Sequence, residues 1–319
     1  MAILKRLMLS EYLVLFLSVL YFVALAPFTP GFATFDNCGN LLATLLPLFV
    51  VAMGLTFVLI TGGIDLSVTS IIALTSVAGA ATLNSSTGWL AGSPLAIPVG
   101  IAVMLLIGGA VGLWNGLAIA KFRMPPFIVT LTTMMFVSGL AIWLTQSKNI
   151  NHLPAAFNAL GGKTWVAFFI TAALAVVAHV MLSRSRWGRW LYAVGHNARA
   201  SLISGVPVAG VTVSAYVASG VLAALASVIY TGQAETGSPV MGQRILLDII
   251  GATVIGGTSL FGGKGKVLWT FFGVLFIKLM DNSLNLLDLS YFSIMMVKGG
   301  VILFAALMDS MRNQVLVAA

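Results

Sequence analysis

Residues 41–84 have the sequence LLATLLPLFVVAMGLTFVLITGGIDLSVTSIIALTSVAGAATLN, which decides the class of fold. Two apolar runs flank the segment TGGIDLS at 61–67, and neither run carries a charged residue. A helix of about 20 apolar residues crosses a hydrocarbon core about 30 Å thick. The stretch therefore predicts two membrane-spanning helices, at 40–60 and 66–84, joined by a break that contains glycine.

The same pattern recurs along the rest of the chain. Of its 319 residues, 60% are hydrophobic and only 8% are charged, with a mean hydropathy of +1.07, whereas a soluble domain has about 25% charged residues. The sequence predicts one all-α domain over residues 1–319, a polytopic membrane protein of about ten helices, some broken or half-length. The two at 246–260 and 266–282 are short enough to be half-helices that meet within the membrane. The predicted spans are 12–28, 40–60, 66–84, 95–120, 127–145, 164–183, 208–230, 246–260, 266–282 and 290–309.

The basic residues predict the orientation of these helices. Cytoplasmic loops of membrane proteins carry an excess of lysine and arginine, and with a cytoplasmic N-terminus eleven basic residues fall inside and three outside. Both termini are therefore predicted to be cytoplasmic. This bias, together with attraction to anionic lipid, accounts for the net charge of +8 without nucleic acid. The inner set is Lys5, Arg6, Lys121, Arg123, Arg184, Arg186, Arg189, Arg199, Lys264, Lys266 and Arg312, and the outer set is Lys148, Lys163 and Arg244.

The segment from Gly62 to Ser67 has two interpretations. Paired glycines interrupt a helix because they lose much conformational entropy there and permit unusual backbone angles, and Asp65 or Ser67 can cap the helix that follows. In the first interpretation Gly62, Gly63, Asp65 and Ser67 form a break that lines or gates a substrate path. In the second they form a tight cytoplasmic turn with a capping acid. The residues alone leave both interpretations open.

The largest polar segment, at about 184–207, is predicted to lie in the cytoplasm. Within it Asn197 is a good N-cap and Gly205 suits the position after a helix end, so a helix of about two turns is predicted between them. A helix this short is unstable alone and must pack on another surface. It is either a coupling helix that inserts into a groove on a motor subunit or an interfacial helix on lipid head groups, anchored by Trp187 and Trp190.

A glycine-rich segment at 256–266 superficially resembles a phosphate-binding loop. Gly257 and Gly262 have the spacing of the glycines in that motif, but Gly263 stands where the motif requires a lysine. The chain is therefore not expected to bind ATP through this segment. It is interpreted as a junction between helices, with Gly256 and Gly257 as candidates for a second break on the translocation path.

Polar residues inside predicted spans usually face the interior of the bundle or an aqueous path. Arg244 and Asp248 have i,i+4 spacing and Lys278 and Asp281 have i,i+3 spacing, so each pair can form an ion pair. Nothing in the sequence has metal-ligand spacing, and no nucleophile has a matching base, so neither a metal site nor a catalytic residue is predicted. The polar residues considered are Asn115, His179, Asp248, Lys278, Asp281 and Lys298.

Four segments, taken together, resemble the permeases of ribose-type sugar importers driven by ATP-binding-cassette (ABC) ATPases. They occur in the order of that family and at similar intervals, and the resemblance runs from about residue 40 to the last span. Two residues depart from the family pattern, since Thr69 replaces a usual glycine and Ser201 a common alanine. The four segments are GGIDLS at 62–67, PFIVTL at 126–131, GHNARASLISG at 195–205 and IGGTSLFGG at 255–263.

The resemblance implies a multi-pass protein of the bacterial inner membrane that imports a small sugar or polyol by alternating access. It implies as partners a second permease copy or a homologous permease (a homodimer or a heterodimer), a cytoplasmic ABC ATPase that uses ATP and Mg, a periplasmic sugar-binding protein and membrane lipid. No cofactor is expected on this chain. The alternative is an ion-coupled secondary transporter of a small neutral solute, which would need Asp65 or Asp248 for coupling. The residues that the resemblance assigns to ATPase coupling are Gly195, Asn197, Ala200, Ser204 and Gly205.

Overall fold

The computed structural model describes residues 12–317, with side chains described as far as residue 307. Over these residues the chain forms thirteen helices joined by turns and loops. In chain order they are α1 (Leu13–Leu25), α2 (Phe35–Ile60), α3 (Val68–Leu83), α4 (Ala96–Ala120), α5 (Pro126–Thr145), α6 (Ala155–Gly162), α7 (Thr164–Arg184), α8 (Arg186–His196), α9 (Ala198–Ile203), α10 (Val208–Ala234), α11 (Leu246–Ile255), α12 (Val267–Leu286) and α13 (Tyr291–Val317).

The predicted spans coincide with apolar helices. Within the described part of the chain, six helices are long and apolar enough to cross a membrane, namely α2, α4, α5, α7, α10 and α12. Shorter apolar helices are α1, α3, α11 and residues Tyr291–Leu307 of α13. The number of crossings and the cytoplasmic termini stay predictions, and Lys5 and Arg6, on which the N-terminal side depends, lie outside the described residues together with the side chain of Arg312.

One expectation about the short spans is wrong. Helix α11 has 10 residues, as expected of a half-helix, but α12 has 20 residues and continues to Leu286. Its polar C-terminal part stays helical because the side chains there have partners on other helices. Asn282 exchanges hydrogen bonds of 2.7 and 2.8 Å with Asn37 of α2, and the Ser283 hydroxyl lies 2.7 Å from the Tyr21 hydroxyl of α1.

Helix α2 is the centre of the bundle. Every residue from Leu45 to Ile60 is buried, as expected for a helix that is apolar on all sides. Helices α10, α12, α7 and α11 surround it. The Thr56 hydroxyl in this core both donates to the Ala52 carbonyl at 2.8 Å and lies 2.6 Å from the Thr270 hydroxyl of α12. Polar groups inside the bundle are thus paired between helices.

A stripe of glycines brings α4 against α10. A Cβ atom at Gly108 or Gly112 would collide with the backbone carbonyls of Gly220 and Tyr216, respectively. Small residues at four-residue spacing allow two membrane helices to approach closely and gain dispersion energy. The consequence for the site is that α10 lies deep in the bundle, where its hydroxyl groups reach the break after α2.

Candidate functional site

The GGIDLS segment is a non-helical break between α2 and α3. Helix α2 ends at Ile60, and Gly62 adopts a φ of +79°, a left-handed angle that glycine adopts without strain. Gly63 is buried, and a Cβ there would lie 2.6 Å from the Tyr216 hydroxyl of α10. Asp65 is fully buried as well. Gly63 and residues 65–67 are therefore covered by other helices, whereas Gly62 is exposed.

Asp65 holds a buried hydrogen-bond network together. One carboxylate oxygen accepts from the Ser67 backbone N–H at 3.0 Å and from the Ser67 hydroxyl at 2.6 Å, and the other accepts from the Ser219 hydroxyl of α10 at 2.9 Å. The Asn115 amide of α4 donates to the Ser67 hydroxyl at 2.8 Å, and the Thr133 hydroxyl of α5 donates to Asn115 at 2.7 Å. We call these five residues the Asp65 network. It joins the break to three helices through hydrogen bonds that a buried carboxylate requires.

The carbonyl of Ile64 is a second attachment point in the break. It accepts from the Tyr216 hydroxyl of α10 and from the Thr130 hydroxyl of α5, both at 3.2 Å. Thr130 belongs to the segment PFIVTL. The first two of the four segments that carry the resemblance are therefore in direct contact.

Helix α9 is capped as the sequence predicts. The Asn197 side chain accepts from the Ala200 backbone N–H at 2.9 Å, and Gly205 follows the helix at a φ of +82°. Ala200 and Ser204 are exposed, and the backbone N–H of Ser204 donates to the Ala200 carbonyl at 3.0 Å. The predicted short helix is confirmed.

Helix α8 anchors this polar segment to the bundle. The Trp187 indole N–H donates to the Ser214 hydroxyl of α10 at 2.7 Å, and its ring packs edge to face against Phe57 of α2, with centroids 5.1 Å apart. Trp190 is also half-buried against the core. Both tryptophans are thus packed against protein, and Trp187 connects α8 to both α2 and α10.

The C-terminal end of α8 meets the end of α2 and the α11–α12 loop. Gly263 donates its backbone N–H to the Ile60 carbonyl at 2.8 Å. A Cβ at Gly195 would collide with that carbonyl and with the Gly263 backbone nitrogen. A Cβ at Gly262 would lie 2.9 Å from both the Gly195 carbonyl oxygen and the Gly62 nitrogen. We call this contact of Ile60, Gly62, Gly195, Gly262 and Gly263 the glycine junction.

A tyrosine reinforces the glycine junction. The Tyr192 hydroxyl of α8 donates to the Gly265 carbonyl at 2.7 Å. Burial raises the pKa of this hydroxyl to about 12 because the charged phenolate is poorly solvated there. The group therefore stays a hydrogen-bond donor at any physiological pH and holds α8 on the α11–α12 loop.

Gly256 and Gly257 lie elsewhere than the break after α2. A Cβ at Gly256 would collide with the Trp269 carbonyl, and Gly257, at a φ of +102°, lies beside the Trp269 ring. Both glycines therefore pack the end of α11 against α12. The contact with the break comes from Gly262 and Gly263, which belong to the segment IGGTSLFGG but are not among the candidates for the break on the translocation path.

Four charged side chains form a cluster where α11, α12 and α13 meet. Lys298 Nζ lies 2.9 and 3.1 Å from the two Asp248 carboxylate oxygens and also pairs with Asp281. Lys278 Nζ is 3.7 Å from Asp281, which confirms that predicted pair. We call Asp248, Lys278, Asp281 and Lys298 the ion cluster. Opposite charges this close compensate one another for the loss of hydration.

One expectation about polar residues in the spans is wrong. Arg244 does not pair with Asp248, because Lys298 occupies both carboxylate oxygens and the Arg244 guanidinium lies over the Tyr291 ring, 5.1 Å from its centroid. His179, for which the sequence indicates no functional role, is exposed near the C-terminal end of α7. Asn115, in contrast, is fully buried in the Asp65 network.

The sequence signals missed several members of the site. Ser219, Tyr216 and Thr133 lie in apolar helices that carry several other hydroxyl residues, and serine and threonine hydroxyls inside a helix commonly bond to their own helix. The rotation of α10 about its own axis decides which of its hydroxyl groups faces Asp65, and the sequence does not give that rotation. A buried carboxylate without a basic neighbour in sequence was the available signal, since it requires hydroxyl or amide donors from other helices.

Comparisons with known proteins identify transport permeases as the relatives of this chain. A family model described as "Branched-chain amino acid transport system / permease component" matches residues 37–307. The ribose import permease protein of Bacillus subtilis (strain 168) is 39% identical over 311 residues, which cover 96% of this chain and 93% of that protein. The ribose import permease protein of Escherichia coli (strain K12) is 35% identical over 295 residues, 89% of each chain.

A permease for a different pentose is also similar. The L-arabinose transport system permease protein of Escherichia coli (strain K12) is 33% identical over 310 residues, which cover 96% of this chain and 92% of that protein. No solved structure matches the chain at a significant level.

Proposed function

We propose, because this chain belongs to the permease family of ribose-type ABC sugar importers, that it carries a small sugar or polyol into the cytoplasm by alternating access. Permeases of this family are inner-membrane transport subunits and not enzymes themselves. The relatives import ribose or arabinose according to their names, which favours a pentose as the substrate here. Two copies of the chain, or one copy with a homologous permease, form the path.

The glycine junction is the observation that carries the mechanism. Through Gly195, the segment that is predicted to meet an ATPase touches the last carbonyl of α2 and the α11–α12 loop, with no side chain between them. Backbone groups in such close contact cannot move independently, because an interior packed this tightly transmits displacement. A movement of α9 and α8 is therefore passed to the break at 61–67, where the Asp65 network connects α3, α4, α5 and α10.

The exposed face of α9 fits a docking role. Leu202 and Ile203 are 63% and 82% exposed, on a helix of six residues that is held by caps at both ends. Such a short helix is stable only where it is supported. Two apolar side chains at its tip would insert into a groove on the ATPase and bury apolar surface. The ATPase binds and hydrolyses ATP with Mg, and a periplasmic sugar-binding protein delivers the substrate to the opposite face.

The proposal is tested by reconstitution with the ATPase and the binding protein in proteoliposomes. We expect uptake of labelled ribose or arabinose only when ATP is supplied on the ATPase side. The variant Ile203→Asp should lose both copurification with the ATPase and uptake, because a charge replaces the apolar tip of α9. The control is Phe122→Asp, since Phe122 is 70% exposed in the α4–α5 loop, outside α9, and this variant should keep both.

An ion-coupled transporter would give a different pattern. Asp65 is fully buried and has only hydroxyl and backbone donors as partners among the described residues, so it is the first acid to examine for proton coupling. Uptake driven by a proton or sodium gradient without any ATPase, and lost in Asp65→Asn, would overturn the proposal. ATP-driven uptake that persists in Asp65→Asn would support it.

A further inference from the structure

A large apolar groove runs along the side of the bundle between α4, α7 and α10. Its volume is about 980 Å³, at the upper end of ligand sites in proteins, which are about 300–1,000 Å³. Its walls include Leu117 of α4 and Val177 and Met181 of α7, all of them exposed. Phe57 and Trp187, in edge-to-face contact, also line it.

The groove is unsuited to a sugar. Among its lining residues, only Lys121, Ser214 and the Trp187 indole N–H offer polar side-chain atoms. Ser214 already accepts from Trp187 at 2.7 Å and donates to the Val211 carbonyl at 2.9 Å. The hydroxyl groups of a sugar would lose their hydrogen bonds to water here and gain few in return. The groove therefore lies outside the proposed sugar path and suits an apolar chain.

Positive charge is concentrated at one end of the groove. Lys121 lines it and is exposed, and within the described residues no carboxylate pairs with its ammonium group. Arg186, next to Trp187, and Arg184, three residues after Met181, are exposed as well. Basic pockets between membrane helices on the cytoplasmic side are known to bind anionic lipid head groups.

We propose that this groove binds the acyl chains of an anionic phospholipid, whose phosphate is held by Lys121 and Arg186. The apolar walls face outward on helices that span the membrane, so acyl chains have direct access to them. Trp187 supplies the amphipathic ring that sits well at the level of head groups. The placement of the head group in the cytoplasmic leaflet rests on the proposed position of the α8–α9 segment, whereas occupation of the groove does not.

The lipid would contact α2 and α8, the two helices whose ends meet at the glycine junction. Phe57 contributes to the groove three residues before Ile60, whose carbonyl is the acceptor at the junction. Trp187 lies on α8, the helix that carries Gly195. An acyl chain against both rings would support α2 and α8 at the point where movement is passed between them.

The first measurement is native mass spectrometry of the purified chain with phosphatidylglycerol or phosphatidylcholine added. We expect the chain to retain phosphatidylglycerol in preference to phosphatidylcholine. Lys121→Gln should weaken phosphatidylglycerol binding about fivefold, the equivalent of about 1 kcal/mol for a basic residue near a membrane surface. Lys148→Gln, an exposed lysine outside the groove, should not. Equal effects of the two substitutions, or equal retention of both lipids, would overturn the head-group assignment.

Filling the groove gives a second, independent test. Val177→Trp should abolish retention of one lipid, because the indole occupies the acyl position. Val176→Trp should not, since Val176 is the neighbouring residue on α7, is 64% exposed and lies outside the groove. Leu117→Trp and Leu113→Trp on α4 form a second matched pair, with parent residues 40% and 44% exposed, in case Val177→Trp does not fold. Loss of the dimer without a change in lipid binding in Val177→Trp or Leu117→Trp would show that a second copy of the chain fills the groove, and would overturn the proposal.

Discussion

The two ends of the α11–α12 pair are held to the rest of the bundle by different kinds of contact. At the loop end, the glycine junction brings backbone atoms of Gly263, Ile60 and Gly195 together without any charged group. At the opposite end, the ion cluster joins α11 and α12 to α13 through lysine and aspartate side chains. One end depends on the absence of side chains and the other on their charges.

This difference predicts how each end tolerates change. The glycine junction has no room for an added methyl group, so even alanine is disruptive there. The size of a substituted side chain matters at this contact, and its polarity matters little. An ion cluster tolerates a change of shape that keeps the charge but not the removal of one partner, because the remaining charge is left buried and unpaired. The backbone contact also fixes relative position more strictly, as a coupling element requires.

The largest effect is expected at the ion cluster. Lys298→Met should destabilise the chain by about 3–5 kcal/mol, because it leaves the Asp248 carboxylate, 4% exposed, without its main counter-charge. Lys298→Arg should restore most of the stability. The measurement is the free energy of unfolding of the purified chain in denaturant titrations.

A matched substitution within the cluster sharpens this prediction. Lys278→Met removes a pair at 3.7 Å while Asp281 keeps Lys298 as its partner, so its effect should be about 0–1 kcal/mol. Equal destabilisation by Lys298→Met and Lys278→Met would mean that Lys298 is not the centre of the cluster.

The second effect is expected at the glycine junction. Gly195→Ala should lower the free energy of unfolding by about 1–3 kcal/mol, since the methyl group has to displace the Ile60 carbonyl or the Gly263 N–H. Beyond this loss, ATP-driven uptake should fall at temperatures where the variant is fully folded, because α8 no longer transmits movement in register.

Gly210→Ala is the control for Gly195→Ala. Both glycines lie in helices, but the nearest atom to a Cβ at Gly210 is 4.0 Å away. Because alanine is the better helix former, by up to about 1 kcal/mol, this variant should be neutral or slightly more stable. A Gly195→Ala chain with full uptake would separate the glycine junction from coupling and contradict the proposed mechanism.

The third effect concerns Asp65, a fully buried acid in the break after α2. Asp65→Ala should cost about 1–3 kcal/mol, because the Ser67 N–H and the Ser219 hydroxyl lose their buried acceptors. Asp65→Asn should cost about 1 kcal/mol, since the amide oxygen replaces one acceptor and the Ser219 hydroxyl can turn to accept from the amide N–H. Denaturant titrations of the two variants measure the difference, and an Asn variant as unstable as the Ala variant would show that the negative charge itself is required.

The sequence predicts the helices of this molecule better than the contacts between them. Hydropathy locates the apolar helices of the described residues, six of which are long enough to cross a membrane, and the caps at Asn197 and Gly205 follow from local chemistry. The predicted partner of Asp248 is wrong because spacing along one helix can suggest only a nearby residue such as Arg244. Its actual partner, Lys298, is fifty residues away and reaches Asp248 only through the packing of α13. The glycine junction joins three distant segments, and no local pattern distinguishes a glycine that is needed for a close approach from one that only ends a helix.

The smallest effect tests whether binding of the ATPase depends on the shape of α9. It compares two glycines at which alanine causes similar backbone strain, only one of them next to α9. Gly205 and Gly31 have nearly the same left-handed φ, +82° and +80°, and at both positions a Cβ would have no atom within 4 Å. Alanine at either position should therefore cost about 1 kcal/mol through backbone strain alone, measured by denaturant unfolding. Gly205→Ala, however, also disturbs the turn that ends α9, where Gly205 N–H donates to the Leu202 carbonyl at 3.1 Å, and so alters the presentation of Leu202 and Ile203. Copurification with the ATPase should fall for Gly205→Ala and stay unchanged for Gly31→Ala. If the two variants lose stability equally and both keep the ATPase, the shape of α9 is not what the motor subunit recognises, and the glycine junction would have to receive its movement from another surface.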